Sequence, residues 1–442
     1  MSCVDTSWPP FRLKSERYDV TMTVFSKILP YFTTTLSCHE LAHTWTPSCT
    51  SASAGVFRSC FIESLKIYGL LYLVGGILRR AGMKYFRVNY LLDVIRSSLF
   101  LAVNGGGLVV NVCLIRKLFG SFNYLSMIFV PGLIASLMAI LIEKKGRRST
   151  LALYMTNLAT ETTYNMLKER SLIKPIPNGE IILFCASTAT MMYLYRKKDG
   201  LTDGLVNALI RYFLGSNNSG HRQEISGTEQ SQLMERKKYN NDWHISWLQP
   251  TLKALGTGYL IQLMLMLAGQ IKFIVTNPRR LLRTFYHKDC IRCGLFLGSF
   301  VAIFKNVEGV LGNLRKKSDE INALFAGGLA GLSMMFYKSS TIALYLASKM
   351  SEIVYKQGVS AGVLPSIPYA EILTYTFSTA FLFHACTWEV HSVRPSYWRY
   401  LNVVTGKRFC EINRAKIDEL YGTDSTRLFP KDDLYKSLNR KR

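Results

Sequence analysis

The stretch Leu118–Ile142 reads LFGSFNYLSMIFVPGLIASLMAILI and contains no charged side chain. A helix of about 20 mostly apolar residues crosses the hydrocarbon layer of a bilayer, so this stretch is long enough to span one. Three further windows also lack charged side chains, namely Ser97–Ile115, Ala254–Ile271 and Ile321–Tyr337. A single apolar window also occurs in large soluble cores, but several in one chain predict a polytopic membrane protein.

The composition of the whole chain agrees with this class. Of 442 residues, 49% are apolar and 19% are charged, and the mean hydropathy is +0.13. The net charge is +25, and the basic residues form short clusters at the ends of the apolar windows, as at Arg79/Arg80, Arg116/Lys117 and Lys144–Arg148. Such clusters orient helices and contact anionic headgroups, so we expect membrane lipids as partners and no nucleic acid.

An ordered series of matches indicates an internal duplication. The string STLALY at Ser149–Tyr154 recurs 191 residues later as STIALY at Ser340–Tyr345. Glu180-Ile181 recurs at the same distance as Glu371-Ile372, and further matches precede these in the same order. Chance gives one such match, whereas an ordered series predicts two related halves.

We therefore predict an all-α, polytopic helical membrane protein with two related halves of about five apolar helices each, because lipid offers no partner for an open backbone. The helices are expected near 59–78, 91–115, 121–142, 149–167 and 179–195, and near 251–271, 291–312, 321–338, 339–357 and 369–391. The predicted domains are a Cys/His-containing N-terminal cap (1–58), a first membrane repeat (59–200), a polar linker (201–250), a second membrane repeat (251–392) and a basic C-terminal tail (393–442). If all five helices of each half span, the repeats are inverted, as in many transporters.

The sharpest local pattern lies in the second half. Its residues are Phe304, Arg315, Asp319, Ala326, Gly327 and Gly331. Gly327 and Gly331 share one helical face and let a neighbouring backbone approach closely, which is also ordinary helix packing. Arg315 and Asp319 are placed to pair with each other or with headgroups, and Asp319 lies at the positive end of the next helix.

The spacing of the whole string resembles the signature of the Tim17/Tim22/Tim23 preprotein and amino-acid transporter superfamily. Val301 departs from that signature, which has a small residue at this position. The first half keeps only a trace around Pro131-Gly132 and Ser136. The resemblance therefore implies a Tim17-like second half and a translocation role that rests on residues 251–357.

A second resemblance covers nearly the whole chain from about residue 38. It is carried by CHELAHTWTPSC, ESLKIYGLLYL, LATET, NGEIILFC, KDGL, LFLGSFVAIFK, AGLSMMFYKSSTIALYLASK and RPSYW. These strings resemble the transmembrane protein 135 family of peroxisomal membrane proteins. That resemblance implies a multi-pass protein of peroxisomal and mitochondrial membranes, with roles in peroxisome organisation, fatty-acid and lipid handling, and mitochondrial fission through the dynamin-related fission GTPase. The Tim17-like pattern implies the alternative of moving lipid, acyl chain or peptide.

The N-terminal string contains both a family pattern and an apparent zinc-protease pattern. The family pattern comprises Cys38, Glu40, His43, Trp45, Pro47 and Cys49. The protease reading needs His39 and His43 on one helix, Glu40 as general base and a third ligand, for which Glu63 is a candidate. Pro47 and the Ser/Thr run after it leave little helix, and His39 is not part of the family pattern, so we expect no proteolysis.

Two further uses of polar residues stay open. A structural metal held by Cys38, His43, Cys49 and Cys60 is the alternative to a packed, metal-free cap. Polar residues inside apolar segments either line a path between the halves or make interhelical hydrogen bonds; they are Asn104, Asn111, Glu161, Gln262, His384 and Glu389. No catalytic triad, phosphate-binding glycine loop or carboxylate pair is evident, so we expect no enzyme, no catalytic residue and no cofactor.

Overall fold

The computed structural model describes residues 33–78, 82–83, 85–197, 204–214, 247–276, 285–315 and 319–421. These residues are helical, and β-type pairing among them is confined to one isolated antiparallel bridge between Thr34 and Phe122. Parts of all five predicted domains lie outside the described residues. They are 1–32 of the N-terminal cap, 79–81, 84 and 198–200 of the first repeat, 201–203 and 215–246 of the polar linker, 277–284 and 316–318 of the second repeat, and 422–442 of the C-terminal tail.

The described chain forms a series of α-helices with short π and 3-10 turns. In chain order the α-helices are α1 (Cys38–Leu41), α2 (Cys49–Leu78), α3 (Tyr90–Phe119), α4 (Phe129–Ile142), α5 (Lys145–Glu169), α6 (Gly179–Arg196), α7 (Gly204–Leu214), α8 (Leu248–Thr276), α9 (Lys288–Arg315), α10 (Glu320–Ala330), α11 (Ser340–Ser360), α12 (Ala370–Trp388), α13 (Pro395–Val404) and α14 (Arg414–Tyr421). A π-helical turn at Tyr85–Asn89 leads into α3, and a 3-10 turn at Gly331–Met335 continues α10.

Among the described residues, three helices are long and apolar enough to cross a membrane: Cys49–Ile77, Tyr90–Phe119 and Lys288–Arg315. Phe129–Ile142 is a shorter apolar helix. The all-α class and the membrane-protein class are thereby confirmed at this level.

The charge-free stretch at 118–142 is not one spanning helix, so the helix expected at 121–142 is too long. Gly120 adopts the left-handed conformation, with φ of +67°, and its N–H donates to the Arg116 carbonyl at 3.0 Å, which ends α3. The Asn123 side-chain oxygen then accepts from the Ser126 N–H at 2.7 Å and holds a turn. Hydropathy alone does not register these two local hydrogen-bonding features.

The first long helix begins at Cys49, ahead of the expected start near 59, because the Ser/Thr run is helical. The Ser48 hydroxyl accepts from the Ser51 N–H at 3.4 Å at the helix start. The Ser53 hydroxyl donates to the Cys49 carbonyl at 2.8 Å, so this polar side chain bonds back into its own helix. The helix that carries His39 is short, as expected, but the Ser/Thr run after Pro47 begins a separate long helix.

The chain divides into two compact units, the first comprising Met1–Lys174 with Ile367–Arg442 and the second Pro175–Ser366. In the first unit, α2 and α3 form an antiparallel pair. A Cβ added at Gly105 would lie 2.5 Å from the Cys60 Sγ, and one at Gly106 would lie 2.8 Å from the Phe57 Cβ. The helix pair is therefore close because α3 carries glycines at the contact. α4 packs on α3 and α12, and α12 also packs on α5.

In the second unit, α8 and α9 form the corresponding close pair. A Cβ added at Gly258 would lie 2.6 Å from the Cys293 carbonyl oxygen, and one at Gly294 would lie 3.0 Å from the Leu255 carbonyl oxygen. α10 packs on α9 and α6, and α6 also packs on α11. α6 is the fifth helix of the first predicted half, but it belongs to the unit that contains the first four helices of the second half. Likewise, α12 is the fifth helix of the second half, but it belongs to the unit that contains the first four helices of the first half. The domain boundaries drawn from the repeat remain predictions.

Candidate functional site

The N-terminal motif lies in a short segment that the rest of the first unit holds in place. The Glu40 N–H donates to the Ser37 hydroxyl at 3.2 Å, and the Ser37 N–H donates back to the Glu40 carboxylate at 2.7 Å. The hydrogen bonds from the Ser37 backbone N–H and then from its hydroxyl hold the pKa of the exposed Glu40 carboxyl below its usual range. Leu41 is fully buried, and its carbonyl accepts from the Asn413 N–H at 3.0 Å.

The His-Glu-x-x-His residues do not share the single helix that a zinc-protease site requires. α1 ends at Leu41, so His43 lies beyond the helix that carries His39. The His39 Nδ1 lies 3.0 Å from the Thr46 carbonyl oxygen. Glu40 serves as a capping residue, while Glu63 pairs with Lys66 at 2.6 Å.

His43 instead converges with three cysteine side chains. The Cys38, Cys49 and Cys113 sulfurs and one ring nitrogen of His43 all lie within 4.8 Å of one another. The two nearest sulfurs, those of Cys38 and Cys49, are 3.4 Å apart. Burial and then the neighbouring Cys49 thiol raise the pKa of the Cys38 thiol. These residues come from α1, the following turn, the first position of α2 and the last third of α3.

Cys113 takes the place that the sequence suggested for Cys60. The Cys60 side chain is buried in a separate apolar cluster with Val56, Ala102 and Val404. Sequence reasoning missed Cys113 because it lies far along the chain, inside an apolar window. The antiparallel pairing of α2 and α3, which brings the start of α2 beside the end of α3, was the signal that could have located it.

The remaining family-pattern residues surround this group. Trp45 stands edge-on to His43, with ring centroids 6.2 Å apart, and the Arg408 guanidinium carbon lies 5.2 Å from the Trp45 ring centroid. Pro47 is exposed in the turn between Trp45 and the start of α2. The Thr44 hydroxyl donates to the Glu411 carbonyl at 2.6 Å, so the C-terminal segment of the unit also fixes this turn.

The second-half motif is an interhelical packing site in the second unit. Phe304 and Ala326 are buried in one apolar cluster. A Cβ added at Gly327 would lie 2.7 Å from the Thr188 carbonyl oxygen, and one at Gly331 would lie 2.6 Å from the Cys185 Cα. The motif glycines therefore bring α10 and its 3-10 turn into backbone contact with α6.

The charged residues of this motif lie at the surface of the hairpin. The Arg315 and Asp319 side chains are 3.9 Å apart, and both are about two-fifths exposed. The Arg315 guanidinium also donates to the Asn322 side-chain oxygen at 2.6 Å. Asp319 occupies the N-cap position of α10, but its side chain makes no capping hydrogen bond.

A buried charged network at the other end of the α2–α3 pair was not identified from the sequence. The Glu143 side chain is fully buried and accepts from the Arg147 guanidinium at 3.1 Å and from the Ser97 hydroxyl at 3.0 Å. The Arg147 guanidinium carbon also lies 5.3 Å from the Tyr72 ring centroid. The basic cluster at 144–148 was expected to face lipid headgroups, but Arg147 turns inward because Glu143 provides a buried counter-charge.

Several of the polar residues inside apolar segments have partners within their own unit. The Asn104 side-chain amide donates to the Tyr375 hydroxyl at 2.8 Å and accepts from the Ser136 hydroxyl at 3.3 Å. The pairs Glu161–Arg394, Glu389–Arg170 and Gln262–Tyr337 are also within reach. His384 is packed among Tyr124, Phe129 and Trp388. Interhelical bonding thus accounts for Asn104.

One family model matches the chain. It describes the N-terminal cysteine-rich region of transmembrane protein 135 and covers residues 35–168, which include α1 to α4, all but the last residue of α5, and all four converging side chains. The match supports the resemblance to the transmembrane protein 135 family over residues 35–168. No solved structure matches the chain.

Proposed function

We propose that this multi-pass membrane protein, which belongs to the transmembrane protein 135 family, acts in peroxisomal and mitochondrial membranes. There it regulates mitochondrial fission, peroxisome organisation and fatty-acid and lipid metabolism. The observation that supports this proposal is the match at residues 35–168, in a chain whose described residues include three helices long enough to cross a bilayer. Its partners on this view are membrane lipids and the dynamin-related mitochondrial fission GTPase.

The proposed role is not catalytic. Among the described residues, two members of the apparent protease pattern have structural roles. Glu40 caps α1, and His39 binds backbone carbonyls. The buried carboxylates Glu143 and Asp93 of the first unit pair with Arg147 and Lys144. A regulator of this kind works by holding partners at a membrane surface, which requires a stable helical anchor.

We further propose that the chain consists of two related halves, the second Tim17-like. Matching contacts support this idea. A Cβ added at Gly328 would lie 3.6 Å from the Ala189 Cβ, and one added at Gly132 would lie 3.4 Å from the Ala380 Cβ. Ala189 and Ala380 are 191 residues apart, the spacing of the sequence repeat.

The backbone carries the same correspondence. Asn178 and Tyr369 are also 191 residues apart, and each adopts the left-handed conformation immediately before a helix, with φ of 56° and 61°. Such a conformation is uncommon for residues other than glycine, so its recurrence at the repeat spacing supports common ancestry. The sequence comparison had not singled out these two positions.

The second candidate function is movement of lipid, acyl chain or peptide across or between membranes. It is favoured by the packing of Gly327 and Gly331 against α6, because the Tim17-like string coincides with the closest backbone contact at this interface. The regulatory role is the stronger candidate, because it draws on the transmembrane protein 135 family that residues 35–168 match.

A rescue experiment tests the regulatory role. Cells that lack the protein should recover mitochondrial length, peroxisome number and lipid composition when the full chain is restored at native expression, and a tagged copy should lie in peroxisomal and mitochondrial membranes. A tagged copy absent from both membranes would refute the proposal.

Transport is tested with purified protein in proteoliposomes. Lipid or acyl-CoA flux should fall when Arg315 and Gly331 are altered, and should persist when residues 215–248 are deleted if that linker lies outside the path. Absence of flux for every substrate, together with intact recruitment of the fission GTPase in cells, would eliminate transport and leave regulation.

A further inference from the structure

The four converging side chains of the first unit form a donor set with a defined chemistry. Three are thiols and one is an imidazole, and they are drawn from three separate parts of the fold. Sets of four such ligands are typical of structural zinc sites, in which cysteine and histidine surround the ion tetrahedrally. Hard cations such as Mg²⁺ and Ca²⁺ take oxygen ligands instead, which this cluster does not offer.

The hydrogen bonding of His43 leaves one of its ring nitrogens available to a ligand. Its ring is fully buried, and its Nδ1 lies 2.9 Å from the Thr46 carbonyl oxygen. A carbonyl oxygen can only accept, so Nδ1 carries the proton and Nε2 keeps its lone pair. That Nε2 atom is buried and has no hydrogen-bond partner. Metal-binding histidines show the same arrangement, with one nitrogen on the ion and the other donating to a carbonyl.

We propose that Cys38, His43, Cys49 and Cys113 bind one zinc ion. Zn–S bonds of about 2.3 Å place tetrahedral sulfurs about 3.8 Å apart. The observed 3.4 Å between the Cys38 and Cys49 sulfurs and the 4.8 Å upper limit within the group bracket that value, so adjustments of about 1 Å or less complete the tetrahedron. The unmet Nε2 atom of His43 then has a partner.

The site would join the N-terminal segment to both helices of the α2–α3 pair. Cys38 and His43 lie on the segment, Cys49 begins α2, and Cys113 lies near the end of α3. Leu41 is buried in the core, and Leu36, Ala42 and Trp45 pack against it, so an ion at this point would add to the attachment that these side chains already provide. Structural zinc sites stabilise small elements in this way because the unfolded chain has no preformed site.

Metal analysis of the purified full chain tests the proposal. The protein is expressed with a tag that contains no histidine run, isolated in detergent under reducing conditions, and analysed for zinc by mass spectrometry. About one zinc per chain is expected. Cys49→Ala and Cys113→Ala should each raise the zinc dissociation constant more than about tenfold in a zinc-buffered titration, since loss of even an outer-shell partner weakens binding about 10–100-fold.

Cys60→Ala is the matched control, because Cys60 lies on the same helix as Cys49 and outside the cluster. It should keep the wild-type zinc content. Zinc content that is unchanged in Cys113→Ala would place the ion elsewhere and overturn the assignment.

A second measurement uses only the wild-type protein, so it tests the zinc site even if a variant does not fold. Chelation of the wild-type protein should make Cys38, Cys49 and Cys113 alkylatable together, while the labelling of Cys60 stays constant. Refilling with Co²⁺ should give the visible and near-ultraviolet absorption of tetrahedral cobalt with thiolate ligands. Reduced protein that holds no zinc and gives no such cobalt spectrum, or a Cys38–Cys49 disulfide in freshly isolated protein, would refute the site.

Discussion

Replacement of Gly331 by alanine should push apart two helices that now touch through their backbones. The added Cβ would lie 2.6 Å from the Cys185 Cα and 2.8 Å from the Thr188 Oγ1, whereas ordinary contacts begin near 3.4 Å. The backbone of Gly331 has φ of −58°, which alanine adopts freely, so the effect is steric. Because the nearest atom is backbone, the 3-10 turn must move by nearly 1 Å, and overpacking of this kind costs about 1–3 kcal/mol.

Gly312→Ala is the matched control. Gly312 lies in α9, and an added Cβ there would meet nothing within 4 Å. The same substitution should therefore stabilise this helix by about 0.8–1.0 kcal/mol through helix propensity. The two variants carry the same chemical change and are expected to shift stability in opposite directions.

Thermal unfolding in detergent, followed by the labelling of buried thiols with a fluorogenic dye, gives the measurement. For a domain the size of the second unit, 1 kcal/mol corresponds to about 2–4 °C, so Gly331→Ala should lower the transition by about 2–12 °C. Gly312→Ala should raise it by a few degrees. If Gly331→Ala raised the transition as Gly312→Ala does, the close contact between α6 and the turn after α10 would be disproved.

Three further changes test the first unit. Glu143→Ala leaves Arg147 without its buried counter-charge and should cost about 3–5 kcal/mol of unfolding free energy, whereas Glu143→Leu combined with Arg147→Met should recover most of that loss in the same thermal assay. Asn104→Ala and Tyr375→Phe each remove the same interhelical hydrogen bond, so a double-mutant cycle should give a coupling of about 0.6–1.7 kcal/mol, and additivity would contradict the bond. The pKa of Glu40 is lower in the folded chain than in the unfolded one, so its stabilising effect is present above the unfolded value of about 4.3 and is lost as the pH falls through the folded value. Hydrogen exchange of α1, corrected for the intrinsic rate, should show this loss in the wild type and not in Glu40→Gln.

The helical class follows from the sequence, whereas the helix ends do not. Long windows without charges were sufficient to predict helices in a membrane protein, and α3 and α9 correspond to two of the expected segments. The break at Gly120 depends on one left-handed residue and one asparagine turn, and the early start of α2 depends on a serine cap. These are local hydrogen bonds of about 1 kcal/mol each, which hydropathy averages over a window do not resolve.

The candidate site was only partly accessible from the sequence. Cys38, His43 and Cys49 stand within one short string, so their proximity was expected, but Cys113 joins them through the antiparallel packing of α2 and α3. Likewise, the sequence located the close-packing glycines of the second half without identifying their partner. That partner, α6, precedes them by more than a hundred residues and was assigned to the other half. Long-range pairing is the information that a single sequence lacks.

The assignment of α6 to the second unit and of α12 to the first unit has a consequence for biosynthesis. The ribosome delivers α6 well before α10 and α11, the helices on which it packs, and the first unit lacks α12, α13 and α14 until the last part of the chain has been made. Neither unit can close from its own N-terminal portion, so a nascent chain stopped anywhere before Trp388 leaves apolar helix faces uncovered. Insertion factors or chaperones that shield such faces should therefore associate with this protein until translation is nearly complete.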